Sequence, residues 1–350
     1  MRVVAVDLFC GVGGLTRGMK NEGIEVAAGI DIEASCKYAY EVNNDTMFIE
    51  KDIKKISAKE IDDLYPKNTD TKILMGCAPC QPFSSYSYRY KENENTINKM
   101  DLLDYFGELI IEVKPDIVSM ENVPQLTKNI VFKRFVKTLK KQGYHVTWDI
   151  VYAPEYGVPQ NRKRLVLLAS KHGKIDLIPP IFDENNYPTV RDAIGSLPPL
   201  SSGETCGKDS MHKSVKLTKK NIERIKQSKA GGTWRDWDEN LLLNCHKKSS
   251  GKSYSSVYGR MEWDKPAPTI TTKFYGYGNG RFGHPQQDRA ISYREGAILQ
   301  SFPIDYDFID KNQSTVSYKQ IGIQIGNAVP VKLAEAIGKS IKIHLERSEN

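Results

Sequence analysis

The first 170 residues alternate short apolar segments with amphipathic ones, and this alternation constrains the fold more than any other feature of the sequence. Residues 3–9 are apolar except for Asp7, as expected of a strand buried on both faces of a parallel sheet. Further strands are predicted at 26–30, 73–76, 117–120, 146–151 and 165–169, and helices at 15–21, 33–43, 58–64, 102–113 and 132–142. Such β-α-β alternation predicts an α/β domain with a doubly wound, mostly parallel sheet.

The alternation stops after Ala169. Five prolines fall between residues 179 and 199, and residues 274–282 are rich in glycine and aromatic side chains. Neither stretch has a sustained period. We therefore expect a catalytic domain over 1–171 and a second, smaller and irregular domain over 172–305.

A helical pattern returns near the C-terminus. Leu333, Ile337, Ile341 and Leu345 lie four residues apart, which places them on one face of a helix. Such an apolar stripe needs a surface to pack against, and the α/β sheet offers one. We therefore expect the segment 306–350 to return to the catalytic domain.

Length and composition agree with this organisation. A chain of 350 residues is longer than one compact core usually holds. Apolar residues make up 39% and charged residues 27%, and no apolar run reaches the roughly 18 residues of a membrane span. The start of the sequence lacks the apolar region and cleavage site of a signal peptide. We therefore expect a cytoplasmic protein without a membrane partner.

The six cysteines are expected to be reduced thiols, because disulfides are rare in the cytoplasm. Only Cys77 and Cys80 have the spacing of metal ligands. No second CxxC or HxxxH motif supplies the remaining ligands of a zinc site. The sequence therefore predicts no metal.

Charge is distributed unevenly. The formal net charge is +7, and residues 208–252 carry twelve Lys or Arg against five Asp or Glu. The rest of the chain is therefore neutral overall. A localised basic segment indicates contact with a polyanion, although a solvated lysine-rich surface explains the charge equally well.

Residues 7–14 read Asp-Leu-Phe-Cys-Gly-Val-Gly-Gly where the first predicted strand turns into the first helix. Glycines there let a ligand approach the backbone at a helix N-terminus. A dinucleotide fingerprint is not completed, because Thr16 stands where a third glycine is required. Asp31 ends the second strand, where its carboxylate can accept hydrogen bonds from ribose hydroxyls. The pattern favours a nucleoside without a pyrophosphate, although an ordinary tight turn has the same glycines.

Residues 76–84 read Gly-Cys-Ala-Pro-Cys-Gln-Pro-Phe-Ser after a predicted strand. Cys77 and Cys80 have the spacing of a thioredoxin-type redox pair, but that pair belongs at the first helix of a small domain. The second interpretation is a single nucleophile, Cys80, held between Pro79 and Pro82. Ligands of open α/β sheets bind at the carboxyl edge of the strands, which favours the nucleophile. A buried, inert cysteine is the structural alternative.

Two more polar segments are predicted near that edge. Residues 84–99 form a long, polar and aperiodic segment, as binding loops and lids do. Glu121 and Asn122 end the strand at 117–120 and would lie at the same edge as Cys80. A simple strand-end turn would also account for these two residues.

A basic segment precedes the last predicted strand of the first domain. Arg162 and Arg164 alternate ahead of the strand at 165–169, so both would lie on one face. Such a strand end usually meets only solvent. Here its guanidinium groups could hold a polar, planar ligand.

Taken in order, these motifs resemble those of the DNA (cytosine-5)-methyltransferases. The matching segments are Phe9-x-Gly-x-Gly-Gly14, Pro79-Cys-Gln81, Glu121-Asn-Val123, Gln160-x-Arg-x-Arg164, Arg294-Glu295, Gln300-Ser-Phe-Pro303 and Gly326-Asn-Ala-Val329. The resemblance covers essentially the whole chain except about 172–258. It implies an S-adenosylmethionine-dependent methyltransferase sheet with a smaller DNA-recognition domain, of the prokaryotic restriction-modification type.

The resemblance also implies the reaction. A methyl group is expected to pass from S-adenosylmethionine to C5 of a cytosine flipped out of a specific duplex sequence, through a covalent adduct of Cys80 with C6. Glu121 is expected to hydrogen-bond N3 and the exocyclic amine, and Arg164 to bind O2. Arg162 would support this network and Asn122 would hold its geometry. The predicted catalytic residues are Cys80, Gln81, Glu121, Asn122, Arg162 and Arg164.

By the same resemblance, the cofactor leaves as S-adenosylhomocysteine and no metal takes part. Asp31 is expected to bind the ribose, Ile32 to flank the adenine, and Asp52 to lie at the adenine. The family more often has Glu where Asp31 stands, which shortens the reach to the ribose but keeps the charge. The predicted cofactor-binding residues are Phe9, Gly11, Val12, Gly13, Gly14, Asp31, Ile32, Asp52, Ile53, Pro79, Leu102 and Asn327.

Double-stranded DNA is the expected partner. Lys and Arg would position the duplex through its phosphates, while a few side chains would read base edges. The predicted DNA contacts are Ser84, Ser85, Ser87, Arg89, Gln160, Lys219, Lys220, Arg235, Lys247, Lys248, Lys273, Tyr275 and Arg281. The resemblance further implies a monomer in a prokaryotic cytoplasm or encoded by a phage, functionally paired with a restriction endonuclease.

Three alternatives stay open. A tRNA-modifying branch of the family has the same chemistry, but its characteristic Cys-Phe-Thr is absent, since His246 and Lys247 follow Cys245. A thiol oxidoreductase would need both Cys77 and Cys80, whereas a methyltransferase needs only Cys80. An inactive DNA-binding module would not need the catalytic set, which is complete here.

Overall fold

The computed structural model describes residues 1–79, 102–249, 251, 255–312 and 315–348. The chain divides into two compact units. The first unit comprises Met1–Tyr156, Lys163–Ile181 and Ala328–Asn350, and the second comprises Gly157–Arg162 and Phe182–Asn327.

A seven-stranded sheet with the order β3-β2-β1-β4-β5-β7-β6 forms the centre of the first unit. Its strands are β1 Val3–Leu8, β2 Glu25–Asp31, β3 Met47–Glu50, β4 Thr71–Gly76, β5 Ile117–Asn122, β6 His145–Tyr152 and β7 Lys163–Ser170. The first five strands pair in parallel, and β7 runs antiparallel to both β5 and β6. The predicted mostly parallel α/β sheet is therefore confirmed.

The helices of the described residues flank the sheet or lie in the second unit. They are α1 Gly14–Asn21, α2 Lys37–Asn44, α3 Ala58–Asp62, α4 Leu102–Val113, α5 Ile130–Lys141, α6 Val190–Ile194, α7 Lys219–Gln227, α8 Asn244–Lys247, α9 Tyr293–Leu299, α10 Tyr318–Asn327 and α11 Val331–Ser348. The apolar faces of α4 and α5 pack together over the sheet, where the rings of Phe106 and Phe135 lie 5.4 Å apart. Burial of both faces of the sheet explains the nearly continuous apolar strands.

The C-terminal helix α11 lies in the first unit and packs on α1. A Cβ at Gly18 of α1 would lie 2.3 Å from the Cβ of Ala334, so only glycine permits this approach. Asn21 donates a hydrogen bond to Glu335 at 2.7 Å, and Ser170 of β7 lies 2.7 Å from the His344 ring. The predicted apolar stripe is therefore buried against the catalytic unit.

The unit boundaries differ from the predicted domain boundaries in three places. Residues 172–181 belong to the first unit, where the Ile178 N–H donates to Ser340 at 2.8 Å. Residues 306–327 belong to the second unit, and so do residues 157–162. The physical reason is hydrogen bonding inside the second unit. The amide of Gln160 donates to the carbonyl of Leu299 at 3.0 Å and to Gln300 at 2.8 Å, and Gln300 in turn donates to the carbonyl of Ile325.

The second unit has little regular structure. Its only strands among the described residues are β8 Thr205–Cys206 and β9 Asp209–Lys213. Its core contains Trp234, Trp237 and Tyr277. Most of its remaining backbone follows turns and short helices, in agreement with the absence of periodicity in the sequence.

Candidate active site

Four strands of the first unit end at one edge of the sheet, because β1, β2, β4 and β5 run parallel. The predicted functional segments follow these ends: the glycine-rich turn after β1, Asp31 at the end of β2, Cys77 after β4, and Glu121 in β5. The fold therefore brings together chain segments that are separated by up to about 110 residues in the sequence.

The turn after β1 exposes backbone rather than side chains. Phe9, Gly11 and Gly13 have positive φ angles of 59°, 51° and 85°, a region in which glycine is not strained. No atom lies within 4 Å of the position that a Cβ on Gly11 would take. This open backbone lies directly before the N-terminus of α1 and leaves room for a ligand.

Asp31 is fixed beside this turn. Its two carboxylate oxygens accept hydrogen bonds from the backbone N–H groups of Gly11 at 2.8 Å and Glu33 at 2.9 Å. Burial raises the pKa of Asp31, and these backbone donors oppose the rise. The neighbouring side chain of Ile32 is 67% exposed. A fixed carboxylate next to an exposed apolar side chain suits a ligand that carries hydroxyls and a flat apolar ring.

The other predicted cofactor residues differ in exposure. Asp52 accepts a hydrogen bond from the Lys54 N–H at 3.0 Å and begins a 3₁₀ helix. Val12 and Ile53 are buried, whereas Pro79 and Leu102 are half-buried. Asn327, the last residue of α10, is exposed in the second unit.

Asp7 lies in β1 and was not among the predicted site residues. It is fully buried, and its Oδ2 accepts a hydrogen bond from Thr16 Oγ1 at 2.7 Å. Its Oδ1 has no hydrogen-bond partner among the described residues. Burial raises the pKa of Asp7 to about 7. The sequence did contain a signal for this residue, since Asp7 is the single acidic residue in an apolar segment predicted to be a buried strand.

Glu121 is the best-defined polar group at this edge. It is 2% exposed. Its Oε1 lies 2.8 Å from Nε of Arg164, and its Oε2 accepts a hydrogen bond from the Cys77 thiol at 2.9 Å. Arg164 reaches the carboxylate because β7 pairs with β5. Glu121 and Arg164 were each predicted as site residues, but neither their ion pair nor the Cys77 contact was predicted.

Asn122 links the end of β5 to the segment that precedes Cys80. Its Nδ2 donates to the Ala78 carbonyl at 3.0 Å, and its Oδ1 accepts from the Val123 N–H at 2.9 Å. The side chain therefore fixes the backbone two residues before Cys80. Cys80, Gln81 and the DNA contacts predicted at Ser84, Ser85, Ser87 and Arg89 lie outside the described residues.

Arg162 and Arg164 belong to different compact units, although both were predicted on one strand face. Arg162 is buried in the second unit, where it donates to the Ile270 carbonyl at 3.1 Å and to Gln160 at 3.3 Å. Gln160 is also fully buried and accepts from the Ile270 N–H. These contacts give Gln160 and Arg162 an internal role in the second unit.

The predicted DNA contacts of the second unit fall into two groups. Six are exposed: Lys219, Lys220, Arg235, Lys247, Lys248 and Lys273. Arg281 is half-buried and donates to the Gly231 carbonyl, and Tyr275 stacks on Tyr293 with ring centroids 4.9 Å apart. The exposed cations are therefore the ones available to a polyanion.

The described part of the chain offers neither a metal centre nor a membrane span. It contains no cluster of three His, Cys, Asp or Glu side chains arranged to hold a metal ion. None of its helices is long and apolar enough to cross a membrane.

Comparison with known proteins agrees with this geometry. The family model for the C-5 cytosine-specific DNA methylases matches residues 3–343. The chain therefore belongs to this family and is a DNA (cytosine-5-)-methyltransferase. Type II methylase M.HgiDII of Herpetosiphon aurantiacus is 55% identical over 344 residues, which cover 97% of this chain and 95% of the relative. Type II methyltransferase M.Sau96I of Staphylococcus aureus is 30% identical, with 97% and 76% covered.

Solved structures show the same fold. A structure described as a prophage-encoded DNA modification methyltransferase from E. coli aligns with a TM-score of 0.75 at 22% identity, over 98% of this chain and 99% of that one. The S. pombe Dnmt2 methyltransferase aligns with a TM-score of 0.63 at 18% identity, with 99% of each chain covered. The predicted family resemblance is thus confirmed, and the relatives include the expected type II enzymes.

Proposed function

We propose that the protein transfers a methyl group from S-adenosylmethionine to C5 of a cytosine flipped out of a specific duplex DNA sequence. The observation that carries this proposal is the buried Glu121 carboxylate 2.8 Å from the Arg164 guanidinium. This pair lies at the carboxyl edge of the sheet. Asn122 ties the same strand end to Ala78, two residues before the proposed nucleophile Cys80.

The residues at the end of β1 and β2 fit the cofactor. The turn at Gly11 leaves open space where a side chain would otherwise stand, and Asp31 holds a fixed carboxylate beside it. Asp31 binds the ribose hydroxyls, and the exposed Ile32 covers one face of the adenine. Asp52 and Leu102 complete the pocket with the other predicted residues of the first unit. When bound, the cofactor supplies an electrophilic methyl group.

The chain supplies the nucleophile and the charge stabilisation. The Cys80 thiolate adds to C6 of cytosine and makes C5 nucleophilic. Glu121 accepts a hydrogen bond from the exocyclic amine, a proton held between its carboxyl group and N3 offsets the negative charge that develops on the ring, and Arg164 binds O2. After methyl transfer, C5 gives its proton to solvent, the C5=C6 double bond re-forms, and Cys80 leaves as the thiolate. Asn122 and Gln81 hold the geometry of the site.

DNA binds to the exposed cations of the second unit, and Ser84, Ser85, Ser87 and Arg89 contact the site of the flipped base. The fixed charges of Lys219, Lys220, Lys247 and Lys248 neutralise phosphates and position the duplex. The protein works as a monomer in the cytoplasm, and a restriction endonuclease of the same specificity is its functional counterpart.

Transfer of labelled methyl groups from the cofactor to duplex DNA tests the proposal. We expect label in 5-methylcytosine at one short sequence motif, mapped on genomic DNA. Label in tRNA but not in DNA would favour the tRNA-modifying branch. Absence of label in either nucleic acid would overturn the proposal.

Covalent trapping tests the nucleophile. In 5-fluorocytosine, fluorine replaces the C5 proton whose loss normally releases the enzyme. The covalent adduct with a duplex that carries 5-fluorocytosine at the mapped site therefore persists. We expect the wild-type protein to form this adduct and Cys80→Ala to form none. An adduct with Cys80→Ala would refute the assignment of Cys80.

A further inference from the structure

Cys77 occupies an unusual position for a thiol that the proposed reaction does not use. It is half-buried directly after β4, and its Sγ donates to Oε2 of Glu121 at 2.9 Å. The two residues are 44 positions apart in the sequence. The contact exists because β4 and β5 are neighbours in the sheet and end at the same edge.

This contact completes the set of partners around the catalytic carboxylate. The Arg164 guanidinium lies 2.8 Å from Oε1, on the other oxygen of Glu121. One partner alone would leave the carboxylate free to rotate about its terminal bond, since that torsion is broad. The ion pair to Oε1, which accepts no hydrogen bond from the described residues, and the thiol hydrogen bond to Oε2 together fix the plane of the group. Fixing a reacting group before the substrate arrives is a general source of catalytic rate.

We infer that Cys77 is a positioning residue: its thiol holds Oε2 of Glu121 until the flipped cytosine takes over that oxygen. This inference rests on the proposed role of Glu121 toward the base. A thiol suits the task because S–H is a weak donor. The cytosine amine can therefore displace it at small cost.

The role requires only a hydrogen-bond donor at this position, which separates it from redox chemistry. Cys77→Ser keeps an O–H donor, Cys77→Ala removes the donor, and Cys77→Val removes it while filling the space. We expect kcat to fall about 5- to 30-fold in Cys77→Ala and Cys77→Val, because orientation effects of this kind are worth about one order of magnitude. Cys77→Ser should stay within about threefold of wild type, and KM for DNA and for cofactor should not change in any of the three.

Steady-state and single-turnover methylation of a duplex with the mapped site measure these values. Cys206→Ala in the second unit serves as the matched thiol control, and thermal melting of each variant separates loss of fold from loss of orientation. If Cys77→Ala unfolds at a lower temperature than wild type, the inference is tested on the kcat of Cys77→Val, which fills the space of the thiol. Equal kcat in wild type and in both donor-free variants would overturn the inference, and so would a Cys77→Ser variant as slow as Cys77→Ala.

Glu121→Gln distinguishes failure of this inference from failure of the proposed function. A Glu121→Gln enzyme as fast as wild type would refute the proposed function itself. A slow Glu121→Gln enzyme combined with a fast Cys77→Ala enzyme would refute only the role of Cys77. In the Glu121→Gln background, Cys77→Ala should cause no further loss, because the carboxylate that it orients is gone.

Discussion

The two units differ in how they satisfy their buried backbone groups. In the first unit, the sheet pairs its own N–H and C=O groups, and apolar side chains fill the space around it. In the second unit, few strands are present among the described residues, and buried arginines bind the carbonyls instead. Arg260 alone donates to the carbonyls of Ser228, Ile225, His284 and Gln287, and to Asp288.

Other buried arginines of the second unit act in the same way. Arg289 forms a two-point ion pair with Glu295, with both distances 2.7 Å. Burial by itself raises the pKa of Glu295, but the bonds and charge of Arg289 hold that pKa below its ordinary value. Arg224 donates to the Leu241 carbonyl at 2.9 Å. The planar guanidinium group has five N–H donors and can donate to several carbonyls at once, whereas an apolar side chain has no donor.

This difference changes the meaning of charge in the two units. Within the basic segment 208–252, Arg224 is buried and internal, whereas Lys219, Lys220, Lys247 and Lys248 are exposed. Net charge therefore overstates the number of cations available to DNA. It also follows that variants of the buried arginines in the second unit test folding, whereas variants of the exposed lysines test binding.

The largest expected effect is on the chemistry of the first unit. Glu121→Gln should lower kcat by about 10²- to 10⁴-fold, because it removes the acid–base group and its charge from the reacting ring. DNA binding, measured by fluorescence anisotropy, should be unchanged, since the variant leaves the second unit intact. Glu108→Gln on the exposed face of α4 is the matched control. A weaker affinity for DNA with an unchanged kcat would contradict the assignment of chemistry to the first unit.

The next effect is on the folding of the second unit. Arg260→Ala should lower its free energy of unfolding by about 3 to 5 kcal/mol, because four carbonyls and Asp288 lose their buried partner. Urea unfolding followed by tryptophan fluorescence reports this unit, since three of the four tryptophans lie in it. Arg191→Ala, which removes an exposed ion pair with Asp264, should leave the urea midpoint close to that of wild type, because water screens an exposed pair. Equal losses in both variants would show that Arg260 does not hold the unit.

The sequence predicts the first unit well for a physical reason. Strands buried on both faces leave long apolar segments, and the predicted strands correspond to β1, β2, β4, β5, β6 and β7. Among the described strands of this unit, β3 alone was missed, because four residues with one buried side chain, Met-Phe-Ile-Glu, have no readable period. Residues that follow parallel strands must share one edge, so the neighbourhood of Glu121 and Asp31 could also be predicted.

Contacts that depend on individual side chains could not be predicted. In the sequence, the buried Arg260 and Arg289 look like surface charges, and nothing marks the carbonyls that they bind. The Cys77–Glu121 hydrogen bond joins two strand ends that only the sheet register brings together. The alternation of residues along a strand predicted Arg162 and Arg164 on one face. The Arg162 side chain instead forms its hydrogen bonds within the second unit.

A pH-dependent effect distinguishes the two units further. The pKa of Asp7 is raised by burial to about 7, so the folded state binds more protons than the unfolded state between about pH 4 and pH 7. The contribution of Asp7 to stability therefore falls as pH rises through that window. Burial lowers the pKa of His284 in the second unit to about 4, so its contribution instead rises with pH up to about 6.5.

Asp7→Asn tests the first of these two slopes, since the amide oxygen can still accept from Thr16. Between about pH 4.5 and pH 8, the free energy of unfolding of Asp7→Asn should rise relative to that of wild type by roughly 2 to 4 kcal/mol. Urea unfolding at several pH values measures it. A difference that does not change with pH would mean that Asp7 titrates normally. His284→Gln should show the opposite trend, with its relative advantage largest at acid pH.

The smallest effect is expected for DNA binding by the exposed lysines of the second unit. Replacing Lys219, Lys220, Lys247 and Lys248 with Gln should weaken DNA binding by about 10- to 100-fold at low salt and flatten the plot of log K against log salt. The magnitude of the slope falls by about 0.9 for each phosphate that is no longer neutralised. Cofactor binding, measured by calorimetry, should not change.

A matched set of lysine variants on the first unit distinguishes direct contact with the duplex from attraction by the net charge of the protein. Lys133, Lys137, Lys140 and Lys141 are exposed on α5, so replacing them with Gln changes the net charge by the same amount. If the basic surface of the second unit contacts the duplex, the α5 set should leave the salt slope close to wild type, because lysines that neutralise no phosphate release no counterions. Equal weakening by both sets would mean that net charge alone attracts DNA. The chemistry would then still be assigned to the first unit, but DNA binding would not be assigned to the second.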